Sequence, residues 1–556
     1  MRKLLAISTC LLSIAGVGLV VEQETEKAEA RDCPESGNFI ILSDGSCVNL
    51  DSISDPDDDE EREGGPNCED RINDTAAKLL ECVTVSNVYK HLSAFQAIAD
   101  ENEGVRASGT PGYDATVDYI KDTLEEEGYD VELQAFTFEF FPLPTLARVE
   151  PAPAKNYQTG VFIGSGSGRI KRGTVIPVDL ALGNSSWPAD PSTSSSGCEV
   201  SDFDGLDFSG PNDIALIQRG SCFFSVKATN AEAAGAEAVI IFNQGNSPTR
   251  QDLIAGNAST LPDGSPSNLG IPVVGASFAD GVDLSQSGSK ILIVVDPPED
   301  RITYNVIAEL PSRSKGDVVM VGAHLDSVQE GPGIQDNGSG SAAILEVALQ
   351  MSRARFDNTV RFAWWGAEEL GLLGSQEYVD RLSESELQRI ALYLNFDMIA
   401  SPNYVYSIYD GDDSDGVGAG PGPEGSAEIE QLFESFYIDR DLPFKGTDFS
   451  GRSDYAAFIE FDIPAGGLFT GAEEIKTEED VSLWGGTAGE QYDPCYHLAC
   501  DTLENVSLEA LDVNSDAVAF ATLVTAKVNT RRRRVGAALR QSITDTGIDN
   551  IPLLSE

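Results

Sequence analysis

Three apolar segments in the second half of the chain are each followed, within a few residues, by a histidine or acidic residues. The segments and their following residues are Val318–Val321 with His324 and Asp326, Val360–Trp365 with Glu368 and Glu369, and Tyr393–Phe396 with Asp397. Helix-forming stretches lie between them, which predicts an α/β fold with a parallel sheet. Because the carboxyl ends of parallel strands share one edge, residues distant in sequence can form one site there.

The residue types at this edge suit a divalent metal. Asp336 stands just before the predicted helix Ala342–Met351, and the chain has only three histidines, His91, His324 and His497. A set of one histidine, two or three carboxylates and a second, distant histidine offers mixed nitrogen and oxygen ligands. Such a set favours zinc over magnesium or calcium.

The adjacent Glu368 and Glu369 could divide two tasks. One would bind metal, and the other would hold a proton beside a water molecule, as metal hydrolases require. A glutamate pair that opens a helix can also simply complement the helix dipole, and a lone aspartate after a strand is commonly a cap. The occurrence of all these residues in one array favours a metal-dependent hydrolase.

Charge and length limit the class of protein further. The chain has 556 residues and a formal net charge of −54, so it is long enough for two to four domains. A surface this acidic repels phosphate backbones, and we expect no nucleic-acid partner. It is also typical of proteins that stay soluble in salty water.

The N-terminus is typical of an export signal spanning residues 1–30. Arg2 and Lys3 precede the apolar run Leu4–Val21, and Ala28 to Ala30 offers a small-x-small cleavage site. A membrane anchor is the alternative, because the apolar run could nearly span a bilayer. A lipoprotein is less well supported, since Thr9 before Cys10 is a poor lipobox residue. We expect a secreted or extracellular protein, with the periplasm as the alternative, and no stable membrane association.

The cysteine count agrees with export. One of the nine cysteines, Cys10, lies in the signal, and the even number that remains indicates disulfides. Local spacing predicts Cys198–Cys222 and Cys495–Cys500. Nearest-neighbour pairing would add Cys33–Cys47 and Cys68–Cys82, while other pairings stay open.

The chain divides into segments of different character. Residues 31–82 form an acidic leader that is either a removable pro-segment or an acidic extension. Folded sequence begins near residue 83 with two predicted helices, Val88–Glu101 and Tyr113–Glu127, and a strand, Tyr129–Phe140. Residues 146–298 then interrupt the strand–helix alternation with many short β-like runs, which predicts an inserted, β-rich domain.

Part of this insert resembles the protease-associated (PA) domain. Residues 214–244 carry, in order, the "RG…F…K…A…GA.A.I..N" pattern of that domain. The pattern lies on a predicted strand (Ile214–Gln218), helix (Phe224–Ala234) and second strand (Ala238–Phe242). The PA domain has no chemistry of its own. The resemblance implies a lid or substrate-access module.

Several long, ordered motifs in the flanking sequence resemble the secreted di-zinc aminopeptidases of peptidase family M28, in the branch of the Streptomyces aminopeptidase and yeast aminopeptidase Y. They are AHLDS (323–327), DNGSGSAA (336–343), RFAWWGAEELGLLGS (361–375), YLNFDMI (393–399), GRSD (451–454), GGLFTGA (466–472), WGGTAG (484–489) and YDPCYHLACDTL (492–503). The resemblance implies a three-layer α/β/α zinc-exopeptidase sandwich built from residues 83–145 and 299–530. The PA domain is inserted at 146–298, and residues 531–556 form a tail with four consecutive arginines.

The resemblance also implies roles for individual residues. Two zinc ions per chain would be held by a set in which Asp336 bridges both ions, namely His324, Asp336, Glu369, Asp397 and His497. Glu368 would be the general base. Asp326 would orient the imidazole of His324, and Tyr496 would stabilise an oxyanion. The substrate would contact Arg452, Phe469 and Met398.

A structural calcium site is a further feature of one relative of this type. Asp512 and Asp516 match its helical pair, but the acidic partner is missing near Cys82, which weighs against calcium here. His91 is expected to be structural.

The resemblance implies an exported, monomeric aminopeptidase that removes large apolar residues such as leucine from peptide or protein N-termini. The alternatives are a carboxypeptidase, a dipeptidase or a glutaminyl cyclase on the same scaffold. A receptor-like relative without zinc would need missing ligands, and all of them are present. Serine hydrolysis is unsupported, because the sequence has no G-x-S-x-G motif.

Overall fold

The computed structural model describes residues 71–182, 194–247, 250–286, 288–310, 317–418 and 420–528, together with Cys68 and two short N-terminal strands. The export signal, most of the acidic leader, Cys33 and the tail 531–556 fall outside these ranges. The predictions made for them, including the Cys33–Cys47 pairing, therefore lie outside the described residues.

The described residues contain nineteen strands. In chain order they are β1 Phe39–Ile41, β2 Cys47–Asn49, β3 Val131–Phe140, β4 Thr145–Glu150, β5 Lys155–Tyr157, β6 Phe162–Ile163, β7 Gly168–Val178, β8 Asp213–Gln218, β9 Ala238–Phe242, β10 Gly256–Asn257, β11 Val273–Ala276, β12 Lys290–Val295, β13 Glu299–Leu310, β14 Val318–His324, β15 Thr359–Trp365, β16 Ile390–Phe396, β17 Ser407–Tyr409, β18 Lys445–Thr447 and β19 Ala465–Phe469. The first two form a separate antiparallel hairpin.

The same described residues contain twelve α-helices. They are α1 Ala76–Leu80, α2 Val85–Glu101, α3 Pro111–Glu126, α4 Phe224–Ala234, α5 Phe278–Leu284, α6 Ser339–Met351, α7 Leu373–Arg381, α8 Glu384–Leu387, α9 Ser426–Ile438, α10 Tyr455–Ile459, α11 Glu478–Trp484 and α12 Leu508–Lys527. Threonine caps begin the two predicted N-terminal helices: Thr84 accepts from the backbone N–H of Asn87, and Thr110 from that of Tyr113.

An eight-stranded sheet forms the centre of the larger domain, in the order β18-β17-β19-β16-β14-β15-β13-β3. Its inner strands β15, β14, β16 and β19 are parallel. β14 and β16 are buried along their whole length, as expected of strands covered on both faces. α2, α6 and α12 pack on one side, and α7 and α10 on the other. This confirms the predicted three-layer α/β/α architecture.

The insert leaves and rejoins this sheet between two neighbouring strands. β3 ends at Phe140, β13 begins at Glu299, and the two pair antiparallel with Phe140 opposite Glu299. Between them, a second sheet has seven strands in the order β11-β9-β8-β7-β12-β4-β5, with α4 and α5 packed against it. Because the insert begins and ends at adjacent strands, it adds a domain without breaking the register of the central sheet.

Three disulfides lie within the described residues. They join Cys68 to Cys82, Cys198 to Cys222, and Cys495 to Cys500. All three agree with the pairs predicted from spacing. None of the helices in the described ranges has both the length and the apolar character needed to cross a bilayer.

Candidate metal centre

The carboxyl edge of the central sheet collects the predicted site residues. His324 is the last residue of β14, Asp397 directly follows β16, and Glu368 and Glu369 lie in the turn after β15. Asp336 lies in the segment Ile334–Gly338 that leads into α6, and its own backbone is not helical (φ −107°, ψ 94°). The start of α6 lies tightly against the end of β16, and this contact requires glycine at position 340. A Cβ there would lie 2.1 Å from the carbonyl oxygen of Phe396.

One group of ligand atoms gathers around His324. Its Nε2 lies 3.2 Å from Asp336 Oδ1, 3.3 Å from Asp397 Oδ1 and 3.9 Å from Glu368 Oε2. His324 is buried, and Asp397 Oδ1 has no hydrogen-bond partner. A free carboxylate oxygen facing an imidazole nitrogen in a buried site is the arrangement that a metal ligand pair requires.

A second group gathers around His497. Its Nε2 lies 3.2 Å from Asp336 Oδ2 and 3.0 Å from Glu369 Oε2. Asp336 therefore directs one carboxylate oxygen to each histidine. The structure brings together all five residues predicted as metal ligands, in two groups joined by Asp336.

Burial and the charges of neighbouring residues shift the pKa values of the site residues. Burial alone would lower the pKa of His324, but Asp397 and Glu368 outweigh it and hold the pKa well above the usual value. Burial raises the pKa of Glu369 to about 7, despite the opposing effect of His497. Burial, together with nearby carboxylates, also holds the pKa of Glu368 well above its usual range. Buried carboxylates in this number need compensating positive charge, and divalent cations would supply it, so the donor set fits two zinc ions.

Asp326 contacts His324 through its backbone carbonyl group rather than through its carboxylate. The Nδ1 of His324 lies 3.0 Å from the carbonyl oxygen of Asp326, whereas the nearer carboxylate oxygen is 3.8 Å away. That carboxylate oxygen instead accepts from the backbone N–H of Glu368 at 3.2 Å. Asp326 thus connects His324 with Glu368, leaving the Nε2 of His324 directed at the carboxylates.

Tyr496 and Arg452 lie beside the His497 group of the cluster. Arg452 donates to the Tyr496 hydroxyl at 3.1 Å and to Glu473 at 2.9 Å. The Tyr496 ring stacks on His497 with centroids 3.8 Å apart. Burial holds the pKa of Tyr496 well above its usual value, so the phenol keeps its proton at neutral pH.

The Cys495–Cys500 disulfide closes the loop that carries both Tyr496 and His497. Replacing both cysteines with serine should lower kcat/KM by about 10-fold to 100-fold, because a shift of about 1 Å in a catalytic group can cost that much. The loop-entropy loss for a separation of 5 is only about 2 kcal/mol, against about 3.5 kcal/mol for the separation of 24 in Cys198–Cys222. Kinetics and thermal unfolding of both double variants would check this. A larger loss of activity in the Cys198/Cys222 variant would contradict it.

A cavity of about 280 Å³ opens onto the cluster. Both metal groups line it, and so do four large side chains: Met398, Phe469, Tyr409 and Tyr455. The predicted substrate residues Arg452, Phe469 and Met398 therefore all face this cavity.

Two buried residues that support the site could not be identified from sequence. Arg106 is fully buried and donates to the carbonyl oxygens of Leu325, Pro332 and Gly333. It thereby ties together both ends of the loop between His324 and Asp336. Its one sequence signal is its position in the segment RASGTPG (106–112), which leads into α3.

Asp501 is the second such residue. Its two carboxylate oxygens accept from the backbone N–H groups of Gln335 and Asp336, at 2.9 and 3.0 Å. It follows Cys500 within the YDPCYHLACDTL motif. Its position in that motif did not distinguish it from an ordinary loop aspartate. It links the loop of His497 to the turn of Asp336.

Residues predicted to lie outside the centre do so. His91 is buried on α2, with Nδ1 2.7 Å from the Tyr119 hydroxyl. Asp512 and Asp516 lie on α12, where burial raises the pKa of Asp516 to about 7. The expectation against calcium binding by this pair stays a prediction.

Comparisons with known proteins agree with this architecture. Residues 305–522 match the model of peptidase family M28, and residues 179–284 match that of the PA domain. The aminopeptidase of Pseudomonas aeruginosa strain PAO1 is 47% identical over 459 residues, which cover 81% of this chain and 82% of that protein. Leucine aminopeptidase 2 of Arthroderma otae is 40% identical over 424 residues, which cover 75% and 79% of the two chains.

A solved structure shows the same similarity. BSAP, a zinc aminopeptidase from Bacillus subtilis, superimposes with a TM-score of 0.60 at 26% identity, covering 80% of this chain and 95% of that one. The extent of the match to the Pseudomonas protein, together with the family models, establishes the family. The chain belongs to peptidase family M28 and carries an inserted PA domain.

Proposed function

We propose that this protein is an exported, zinc-dependent aminopeptidase that hydrolyses the first peptide bond of peptides with large apolar N-terminal residues. The observation that carries the proposal is the position of Asp336, with one oxygen 3.2 Å from each of two histidines at the end of a cavity. The relatives named aminopeptidase and leucine aminopeptidase support the reaction and the preference.

Five residues would hold two zinc ions. His324 and Asp397 would bind one ion and His497 and Glu369 the other, with Asp336 shared between them. Each group then supplies three protein ligands, and three ligands with an open position are typical of catalytic zinc. When bound, zinc supplies a Lewis acid that polarises a carbonyl group and makes water more acidic.

Glu368 would move the proton. Its carboxylate lies beside the His324 group without being one of its closest ligands, at 3.9 Å from Nε2. It would accept a proton from the attacking water and later donate it to the nitrogen of the leaving peptide. Burial and neighbouring carboxylates raise the pKa of Glu368, which favours a group that must take up a proton.

Tyr496 would donate a hydrogen bond to the carbonyl oxygen of the scissile bond as negative charge develops there. Its hydroxyl already accepts a hydrogen bond from Arg452. Accepting this bond makes the hydroxyl a stronger hydrogen-bond donor. We expect Tyr496→Phe to lower kcat by about 10²-fold to 10³-fold with little change in KM. Steady-state kinetics on leucyl anilide would check this. A normal kcat with a raised KM would show that Tyr496 binds substrate instead.

The substrate side chain and amine would occupy the cavity. Met398 and Phe469 offer an apolar surface for a leucine-sized side chain, while Glu368 and Asp397 lie where a free N-terminal ammonium would be attracted. Among the described residues that line this cavity, Arg452 is the one arginine, and it is paired with Glu473. The named relatives favour an aminopeptidase over a carboxypeptidase.

The reaction is tested by following a peptide by mass spectrometry. A leucine-rich peptide with free ends should lose residues one at a time from its N-terminus. The same peptide with an amidated C-terminus should still lose residues from its N-terminus, and its N-acetyl form should scarcely be cleaved at all. Loss of C-terminal residues, cleavage blocked by amidation, or cyclisation of an N-terminal glutamine without hydrolysis would each refute the proposal.

Export, processing and monomeric state are part of the proposal. The disulfides support an oxidising compartment. N-terminal analysis of the mature protein should find residue 31 if only the export signal is removed. It should find a residue further on if the acidic leader is removed as well. A lipid-modified Cys10 at the N-terminus would contradict a released enzyme, and a dimer in light scattering would contradict the monomer.

A further inference from the structure

A second cavity, of about 420 Å³, adjoins the first. The two share Glu369, Tyr496 and His497 as lining residues. A volume in this range is typical of ligand pockets. If the N-terminal residue of a substrate fills the first cavity and its scissile bond lies at the metal groups, the rest of the peptide must extend into the second.

The PA insert forms one wall of this second cavity. Among its contributions are Val161, Arg219, Asn243 and the segment 252–255, which face the peptidase domain across the cavity. Gln491 of the peptidase domain donates to Asp252 of the insert at 3.3 Å. The leaving side of the substrate is therefore contacted by both domains.

The charged residues of the cavity are nearly all acidic. Besides His497, its lining includes one cation, Arg219, and five carboxylates: Asp252, Asp326, Glu330, Glu369 and Glu473. In a chain of net charge −54, a peptide carboxylate would be repelled from this cavity everywhere except beside Arg219.

Arg219 has no anionic partner of its own within the part of the chain that is described. It is half-buried, its backbone N–H donates to Phe242, and its guanidinium lies over the ring of Phe224, 5.8 Å from the centroid. Burial and the nearby Arg250 lower the pKa of Arg219 to about 10, with no carboxylate opposing them. A half-buried guanidinium without a counter-ion has unused donors and gains most from an anion.

We propose that Arg219 of the PA insert is a specificity residue that binds a carboxylate on the leaving side of the substrate. The carboxylate would be either the free C-terminus of a short peptide or an acidic side chain. Its fork of donors would hold the carboxylate by two hydrogen bonds. The PA insert would thus select substrates as well as cover the site. This inference rests on the proposed aminopeptidase function.

Two matched pairs of substrates test it. Leu-Ala-Ala and its C-terminal amide differ only in the terminal carboxylate, and Leu-Ala-Asp-amide and Leu-Ala-Asn-amide only in the side chain. The wild-type enzyme should prefer the carboxylate member of at least one pair by about tenfold in kcat/KM, through KM, as a charged hydrogen bond at a half-buried site provides. The pair that shows the preference identifies the source of the carboxylate.

Variants assign that preference to Arg219. Arg219→Gln should abolish it and leave leucyl anilide hydrolysis unchanged, since that substrate has no carboxylate. Arg219→Lys, which keeps the charge but loses the fork, should retain part of it. Arg169→Gln is the matched control, because Arg169 is an exposed arginine of the same insert that lines neither cavity.

Three outcomes would overturn the inference: no preference in the wild-type enzyme, a preference that persists in both Arg219 variants, or an equal loss of anilide hydrolysis in them. Failure of the proposed function would look different. The wild-type enzyme would then not cleave leucyl anilide at all.

Discussion

Replacing Glu368 with glutamine should lower kcat by about 10³-fold to 10⁴-fold while leaving the bound zinc in place. General acid–base catalysis contributes about 10²-fold to 10⁴-fold, and the buried Glu368 carboxylate lies 3.9 Å from the Nε2 of His324, the nitrogen that faces the predicted metal ligands. Glutamine keeps the size and the hydrogen-bonding oxygen of the side chain but cannot accept the proton. Stopped assays on leucyl anilide and metal analysis of the same preparation would measure both quantities.

A matched control separates this effect from a general loss of fold. Glu377 lies on α7 shortly after the catalytic turn and pairs with Arg381 at the surface. Glu377→Gln should keep wild-type kinetics, since exposed ion pairs contribute little. If Glu368→Gln retains more than about a tenth of the wild-type kcat, another group is the base.

Replacing Asp336 with asparagine should remove both activity and metal. The two carboxylate oxygens of Asp336 face His324 and His497, each at 3.2 Å. Burial alone would raise its pKa, but the two histidines hold the pKa of Asp336 well below the usual value, so it is charged throughout the neutral range. An amide cannot supply two anionic oxygens, and we expect zinc content to fall below one ion per chain with activity reduced by at least about 10⁴-fold.

The control is the same change at a buried aspartate of the insert, Asp213, which begins β8. Asp213→Asn should keep its zinc and most of its activity. Circular dichroism should show that both variants retain their secondary structure. An Asp336→Asn protein that binds two zinc ions would exclude the shared role of this residue.

The elements that position the site could be predicted because their sequence patterns are local. β14 and β16 are continuous apolar runs, buried on both faces, and the polar residue at the end of each marks the edge of the sheet. The insert's strand–helix–strand unit was predicted at Ile214–Gln218, Phe224–Ala234 and Ala238–Phe242, and the structure has it within one residue. Periodicity and turn residues within a short window were sufficient for these.

The turn that carries the two glutamates was predicted less well. The helix after β15 begins at residue 373, so Glu368 and Glu369 do not open it and cannot simply complement its dipole. Ala367 takes a positive φ of 54°, an uncommon conformation for a non-glycine residue. This turn places the two carboxylates in different groups of the cluster, which no helical or extended pattern encodes.

Long-range support for the site also escaped the sequence. Arg106 has no local partner, and its three hydrogen bonds join carbonyl groups far along the chain. Arg219 likewise lies in a motif of the PA domain that has no chemistry of its own, and its relevance emerges only when the insert faces the peptidase domain. Burial and pairing of charged residues depend on the assembled fold rather than on local sequence patterns.

The most direct test is a zinc titration of the metal-free protein, with hydrolysis of leucyl anilide as the signal. We predict no detectable hydrolysis without metal, a rise with added zinc, and a plateau at two equivalents per chain. The N-acetyl anilide should remain uncleaved at every point. Full activity in the metal-free protein, or equal cleavage of the acetylated substrate, would contradict the assignment of this cluster as the metal centre of an aminopeptidase.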